Sequence, residues 1–251
     1  MLDRVAVVTG AGRGIGRAIA KRACQLGLGV AVWDVDEALA VSTADEIGSH
    51  GVPAIGVGCD VRDRDAVAEA AERTRSNLGS VWAIVNNAGI DRLATFKESD
   101  PQDWRDIIDV NFVGALNVTH ALLGDLTDRD AGRVVFVSSD AARVGSTGEA
   151  VYAGTKAALI GFGKTLARET ARHGITVNIV CPGPTDTSLL GMVRQGPQGD
   201  KIIASMTRAV PLGRIAEPED IAGAVAFFLG PDGGYVTGQV LSVSGGLTMA
   251  G

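Results

Sequence analysis

The 251-residue chain carries 23 Lys and Arg against 29 Asp and Glu, a formal charge of -6 with no basic stripe, which excludes nucleic-acid binding as its main activity. An apolar run already begins at Val5 and no uninterrupted apolar stretch approaches a membrane span, so a soluble cytoplasmic protein with no leader and no membrane partner is expected. Cys24, Cys59 and Cys181 are widely spaced and form no metal-binding pattern, so they read as reduced thiols in or near the core, with no metal site.

The chain opens with a β-branched run, Val5 to Val8 and Thr9, followed by Gly10-Ala11-Gly12-Arg13-Gly14-Ile15-Gly16 and then a helical pattern from Arg17. Strand, glycine turn and helix in that order make a dinucleotide site. Gly10 allows the tight turn, Gly14 and Ile15 bring backbone N–H groups toward a pyrophosphate, and Gly16 allows close helix packing. The helix N-terminus adds the positive end of its dipole. A second strand, Val30 to Trp33, ends in Asp34, roughly 20 residues past the turn, where a carboxylate accepts hydrogen bonds from the adenosine ribose and repels a 2′-phosphate. Asp34, with Asp36 beyond it, favours NAD; Arg13 in the turn is the one residue that favours NADP, the less favoured cofactor.

Further apolar runs lie at 54–57, 81–85, 134–137, 177–180 and 240–243, with helical periodicity between them. Continuous β-branched runs alternating with helices predict one α/β domain over 1–251, a Rossmann-type doubly wound parallel sheet with helices on both faces. Ligands in such folds bind beyond the carboxyl ends of the strands. Those ends carry Asp60 and Val61, then Asn86 to Gly89, then Ser138 and Ser139, then Pro182 and Gly183. Tyr152 and Lys156 stand four apart, on one helix face. A fixed ammonium beside a phenol, whose pKa is ordinarily about 10, pulls it toward the working range, which makes Tyr152 an acid/base candidate.

Taken together, Thr9 to Gly16, Asp60-Val61, Asn86 to Gly89, Asn111, Ser139, Tyr152 with Lys156, and Pro182-Gly183 make the chain resemble the short-chain dehydrogenase/reductase family along essentially its whole length. The resemblance implies that Tyr152 is the acid/base, Ser139 positions the substrate oxygen, Lys156 binds the nicotinamide ribose and tunes Tyr152, and Asn111 supports a water-linked proton relay. It also implies cofactor contacts from Asp60 and Val61 at the adenine, from Asn87, Ala88 and Gly89 along the ribose, and from Thr185 and Thr187 at the carboxamide, beside Pro182 and Gly183.

Substrate choice is expected in 90–96, in 140–150, and in a lid over about 188–211, with Val144, Leu189, Leu190 and Met192 as pocket residues. Within the family, 139–146, 148–152, 181–187 and 238–249 resemble 2-hydroxycyclohexanecarboxyl-CoA dehydrogenases. That implies NAD-dependent oxidation of a ring hydroxyl β to a CoA thioester, 2-hydroxycyclohexane-1-carboxyl-CoA giving the 2-keto product, with Arg92, Arg143, Arg194 and Lys201 as candidate partners for CoA phosphates. Two alternatives stay open: an NADPH-dependent reductase of 3-oxoacyl thioesters, ketones or steroids, and a nucleotide-binding scaffold without catalysis. Apolar residues on more than one face of the helices around 102–123 and 152–173, including Leu159, Phe162 and Leu166, point to a subunit interface, and the resemblance implies a homotetramer.

Overall fold

A computed structural model describes residues 4–49, 51–129, 131–188, 190–191 and 198–250. Each of the apolar runs forms a parallel strand: β1 (Val5–Thr9), β2 (Gly29–Asp34), β3 (Ala54–Gly58), β4 (Val81–Asn86), β5 (Gly132–Val137), β6 (Ile175–Pro182) and β7 (Val240–Val243). Their spatial order is β3-β2-β1-β4-β5-β6-β7 in one 7-stranded sheet. The order reverses between β1 and β4, and this switch point is where a crevice opens at the strand ends.

The helices are α1 (Gly14–Gln25), α2 (Glu37–Gly48), α3 (Arg64–Asn77), α4 (Pro101–Ile108), α5 (Gly114–Thr127), α6 (Ala141–Val144), α7 (Ala150–Thr170), α8 (Gly199–Ala209) and α9 (Pro218–Leu229). Strands that are apolar on both faces need two covers. On one face Ile19, Ala40 and Ile221 bring α1, α2 and α9 onto Val8, Val32 and Val135; on the other, Val67, Val118 and Leu159 bring α3, α5 and α7 onto Val7, Trp33 and Phe136.

Two expectations are corrected. The helix around 102–123 is not continuous: a π-helical turn, Asp109–Val113, separates α4 from α5 and carries Asn111. Counted through that turn, Pro101–Thr127 is 27 residues long and contains a stretch with a mean hydropathy of 1.3, enough by length and composition for a membrane span. It is a core helix here, burying Ile107, Val118, Leu122 and Leu126. Leu159 and Leu166 do not lie on an outer face either. Leu159 and Leu166 are buried in the subunit, and the Phe162 ring meets Phe136 and Phe112 edge-on at centroid distances of 5.6 and 6.5 Å. Helix α8 falls within the expected lid; Leu189, Met192 and Arg194 lie outside the described residues.

Candidate active site

The glycine turn is held across the switch point by hydrogen bonds from both sides. Thr9 Oγ1 accepts from the backbone N–H of Asn87 and of Ala88, each at 3.0 Å, and Asn87 Nδ2 donates to Thr9 O and Gly10 O at 3.0 and 3.1 Å. These bonds fix the ends of β1 and β4 to one another. Gly16 is required by space: a Cβ there would lie 2.2 Å from Gly10 O and 2.6 Å from Asn87 Nδ2. It thus packs on the turn itself rather than on the strand. Gly14, at φ 53, adopts a left-handed backbone that favours glycine, and beyond it stands Thr187.

Helix α1 begins at Gly14 with no side-chain cap and no acidic residue in its first turn. The next three helices are each capped by an aspartate, Asp36, Asp63 and Asp100. The orphan N–H groups of α1 are therefore left for an anion brought from outside, and an uncapped N-terminus ringed by small residues fits a pyrophosphate. Asp34 lies alongside, only 6% exposed, and accepts from Gly12 N at 2.8 Å and Asp36 N at 3.1 Å. Those bonds aim a fixed negative charge at the turn. Arg13 is the exposed residue that precedes α1. Val61 is buried below the end of β3, whereas the Asp60 carboxylate is gripped by Arg62 at 2.6 Å, which holds its pKa below the usual range.

At the far side, Ser139 follows β5, Pro182 and Gly183 close β6, and α7 brings in Tyr152 and Lys156. The Ser139 hydroxyl stands beside the Tyr152 phenol. Lys156, 3% exposed, donates from Nζ to Val137 O at 2.9 Å and lies 5.8 Å from the centre of the Tyr152 ring; a side chain on Gly89 would meet that Nζ at 3.0 Å. The electrostatics differ from the expectation. Burial, together with Glu149 and Asp91, pushes the Tyr152 phenol above its ordinary range, and burial pulls Lys156 down to about 8. The ammonium donates to a strand carbonyl rather than to the phenol, and at Tyr152 burial prevails.

Asn111, 1% exposed, accepts from Ile90 N at 2.8 Å and donates to Ile90 O at 2.9 Å and Thr155 Oγ1 at 3.2 Å. Its amide clamps the segment after β4 onto α7. Thr185 Oγ1 bonds Gly183 O at 2.9 Å and Thr187 Oγ1 bonds Thr185 O at 3.4 Å, which shapes the chain after β6. Of the cations expected for CoA, Arg143 is engaged by Ser242 and the Ala250 carbonyl, Arg92 lies 3.8 Å from Asp103, and Lys201 stands on α8, leaving Arg194 outside the described residues. Val144 is exposed beside the site and Leu190 is buried.

Sequence reasoning did not find the Thr9 clasp, the contact of Gly12 with Asp34, or a carboxyl pair. Asp91, in the turn after β4, lies near Glu149 just before α7, and burial with that neighbouring carboxylate raises its pKa to about 6. Both line a cavity with Tyr152, Phe96 and Trp104, whose rings stack at 5.1 Å. Only the topology brings these two acids together.

A parallel doubly wound sheet, an uncapped helix after a glycine turn, and a Ser-Tyr-Lys group at the strand ends define a nicotinamide-dependent oxidoreductase. The short chain dehydrogenase family model matches residues 4–198, and the chain belongs to that family. It is 37% identical over 246 residues to the short-chain reductase protein NovJ of Streptomyces niveus, covering 97% of this chain and 94% of that protein. It is 36% identical to the 3-oxoacyl-[acyl-carrier-protein] reductase FabG of Escherichia coli (strain K12) and 37% identical to the acetoacetyl-CoA reductase of Rhizobium meliloti (strain 1021), in each case over 246 residues and 98% of both chains.

Proposed function

We propose that this chain interconverts a ketone and a secondary alcohol placed β to a thioester, using NAD(H), with reduction of a 3-oxoacyl thioester as the favoured reading. The observation that carries the chemistry is the Ser139–Tyr152 hydroxyl pair at the strand ends beside buried Lys156. The relatives named for 3-oxoacyl-[acyl-carrier-protein] and acetoacetyl-CoA reduction support a thioester and the reductive direction better than they support oxidation of 2-hydroxycyclohexane-1-carboxyl-CoA. The alicyclic thioester has the same β-hydroxy relation and remains the narrower candidate.

Gly10, Arg13, Gly14, Ile15 and Gly16 would hold the coenzyme phosphates. Asp34 would hold the adenosine ribose, Asp60 and Val61 the adenine, and Asn87, Ala88 and Gly89 would run along the ribose; Lys156, Pro182, Gly183, Thr185 and Thr187 would hold the nicotinamide end. Bound coenzyme supplies hydride to the carbonyl carbon. Ser139 donates a hydrogen bond to the carbonyl oxygen, and Tyr152 transfers its phenolic proton to that oxygen as charge builds there, solvent restoring the proton afterwards. Asp34 supports NADH, because an added phosphate would meet a buried carboxylate; Arg13 is the residue that favours NADPH. A lid including α8, a four-subunit assembly and a cytoplasmic location go with this reading.

The test is initial rates with acetoacetyl-CoA, acetoacetate and 2-hydroxycyclohexane-1-carboxyl-CoA, each with both coenzymes, for wild type and Tyr152→Phe. Turnover of the thioester with NADH, lost about 100-fold or more in Tyr152→Phe, is expected. Preference for the free acid removes the thioester, preference for NADPH removes the Asp34 argument, and undiminished turnover by Tyr152→Phe removes the mechanism.

A further inference from the structure

We propose that the end of the chain, residues 244–250, is a strap that positions Ser139, and that Arg143 is the positioning residue that fastens it, through Ser242 and Asp140, rather than a partner for CoA phosphates. The proposal deepens the function above and rests on Ser139 as the donor to the substrate oxygen.

Ser139 stands where β5 gives way to α6, a helix of 4 residues. One helical turn does not hold itself in water, so its place is set by what it is tied to. Ser139 Oγ accepts from Ala141 N at 3.1 Å, which leaves its O–H free to donate, and Arg143 N donates to Asp140 O at 2.9 Å. Asp140 N donates to Pro182 O at 2.9 Å, which pins the turn to the end of β6. The Asp140 carboxyl is 4% exposed; Ser242 Oγ donates to its Oδ1, while its Oδ2 is buried with no hydrogen-bond partner among the described residues. A carboxyl this deep is tolerated only with a donor, so Ser242 is hard to displace. Ser242, on β7, accepts in turn from Arg143 Nη1 at 2.7 Å, and Arg143 Nη2 donates to the Ala250 carbonyl. A guanidinium presents its donors in a rigid fork, so these two bonds hold the sheet edge and the tail at one spacing from the turn that carries Ser139.

The same tail is seated on the other segments that border the site. A Cβ on Gly183 would lie 2.7 Å from Ser244 Cβ, and one on Gly245 would lie 2.6 Å from Val210 Cγ1. Leu212 N donates to Gly245 O at 3.1 Å, and Thr248 N folds back onto Ser244 Oγ at 3.2 Å. The strap therefore meets the chain after β6 and the chain after α8, and the Arg143 fork joins it to the turn after β5. Arg143 works inside the fold, and its loss frees the Ser139 turn at one end while the coenzyme's glycine turn is untouched.

Full-length wild type, Arg143→Met, Arg143→Lys, Ser242→Ala and the double variant of Arg143→Met with Ser242→Ala are assayed with NADH and either acetoacetyl-CoA or acetoacetyl-pantetheine, the same thioester without the CoA phosphates. For Arg143→Met, kcat should fall about tenfold with both thioesters alike, a part of what outright removal of such a donor costs. KM for each thioester and the Kd for NADH should stay within about twofold of wild type. The double variant should lose no more than Arg143→Met alone, because both cut one chain of contacts, and Arg143→Lys should recover part of the loss, because an ammonium reaches one of the two acceptors. In the absence of substrate, backbone hydrogen exchange should quicken together in peptides covering 139–144 and 244–250 of Arg143→Met. A rise in KM confined to acetoacetyl-CoA overturns the proposal and returns Arg143 to the CoA phosphates. An unchanged kcat in folded variants, or exchange that quickens in only one of the two peptides, overturns it as well. Failure of the thioester reading looks different: wild type turns over neither compound, while the exchange result still decides the strap. Should Arg143→Met fail to fold, Arg143→Lys and Ser242→Ala decide.

Discussion

Replacing Lys156 by methionine should stabilise the folded chain near neutral pH while removing turnover. Lys156 is 3% exposed, and its one recorded hydrogen bond is to Val137 O at 2.9 Å. No carboxylate among the described residues makes an ion pair with it. Burial draws its pKa from an ordinary 10.5 to about 8, and at about 1.4 kcal/mol per unit the charged form costs the native state about 3 kcal/mol. Methionine removes that cost but leaves the Val137 carbonyl without its donor, an offset of about 1–2 kcal/mol. The net expectation is a gain of about 1–2 kcal/mol at pH 7 without coenzyme. The native pKa lies below the unfolded one. Below about 8 both states are protonated and the native state bears the whole cost, which fades as pH rises from about 8 to 10.5. Wild type should therefore gain on Lys156→Met across that window. Urea unfolding followed by tryptophan fluorescence at several pH values measures both quantities. A variant less stable than wild type at pH 7, by an amount that does not change with pH, would refute the reasoning.

Asp34→Ala removes a buried carboxylate and its bonds to Gly12 and Asp36; kcat/KM with NADH should fall about tenfold or more, and the NADPH-to-NADH ratio should rise by a similar factor. Gly16→Ala drives a methyl group against Gly10 O at 2.2 Å, so coenzyme binding, read by fluorescence titration, should weaken at least tenfold, with a lowered unfolding midpoint. Asn111→Ala releases Ile90 and should cost about 2–3 kcal/mol of stability in urea, with KM and kcat both impaired. A change confined to kcat would instead assign Asn111 to proton transfer.

All the strands were legible because a parallel strand covered on both faces must be largely apolar, as Val30 to Trp33 and Val134 to Val137 are. The turn from Gly10 to Gly16 and the acid at Asp34 were legible for the same local reason: strand, turn and helix geometry restricts which residues fit. The π-helical turn at Asn111 was not, since Asp109 to Val113 contains neither proline nor glycine to mark it. Nor was the state of Tyr152. Helical spacing places Lys156 on the same face, but only the packed structure shows the ammonium drawn to Val137 O and the acids of two distant segments set beside the phenol. Leu159 and Leu166 were misassigned to an outer surface because a helix under a sheet and beside another helix is apolar on two faces without meeting another subunit.

The Thr9 clasp also sets an order of events in folding. Thr9 and Asn87 are 78 positions apart, and the bonds between them form only when β4 has come to lie beside β1. Closing so long a loop is slow relative to local helix formation. The coenzyme crevice is thus among the last features to appear, and a chain halted before β4 docks has a glycine turn but no walls for it. Coenzyme added during refolding should leave the rate of the main phase unchanged and act afterwards, by slowing the reverse reaction.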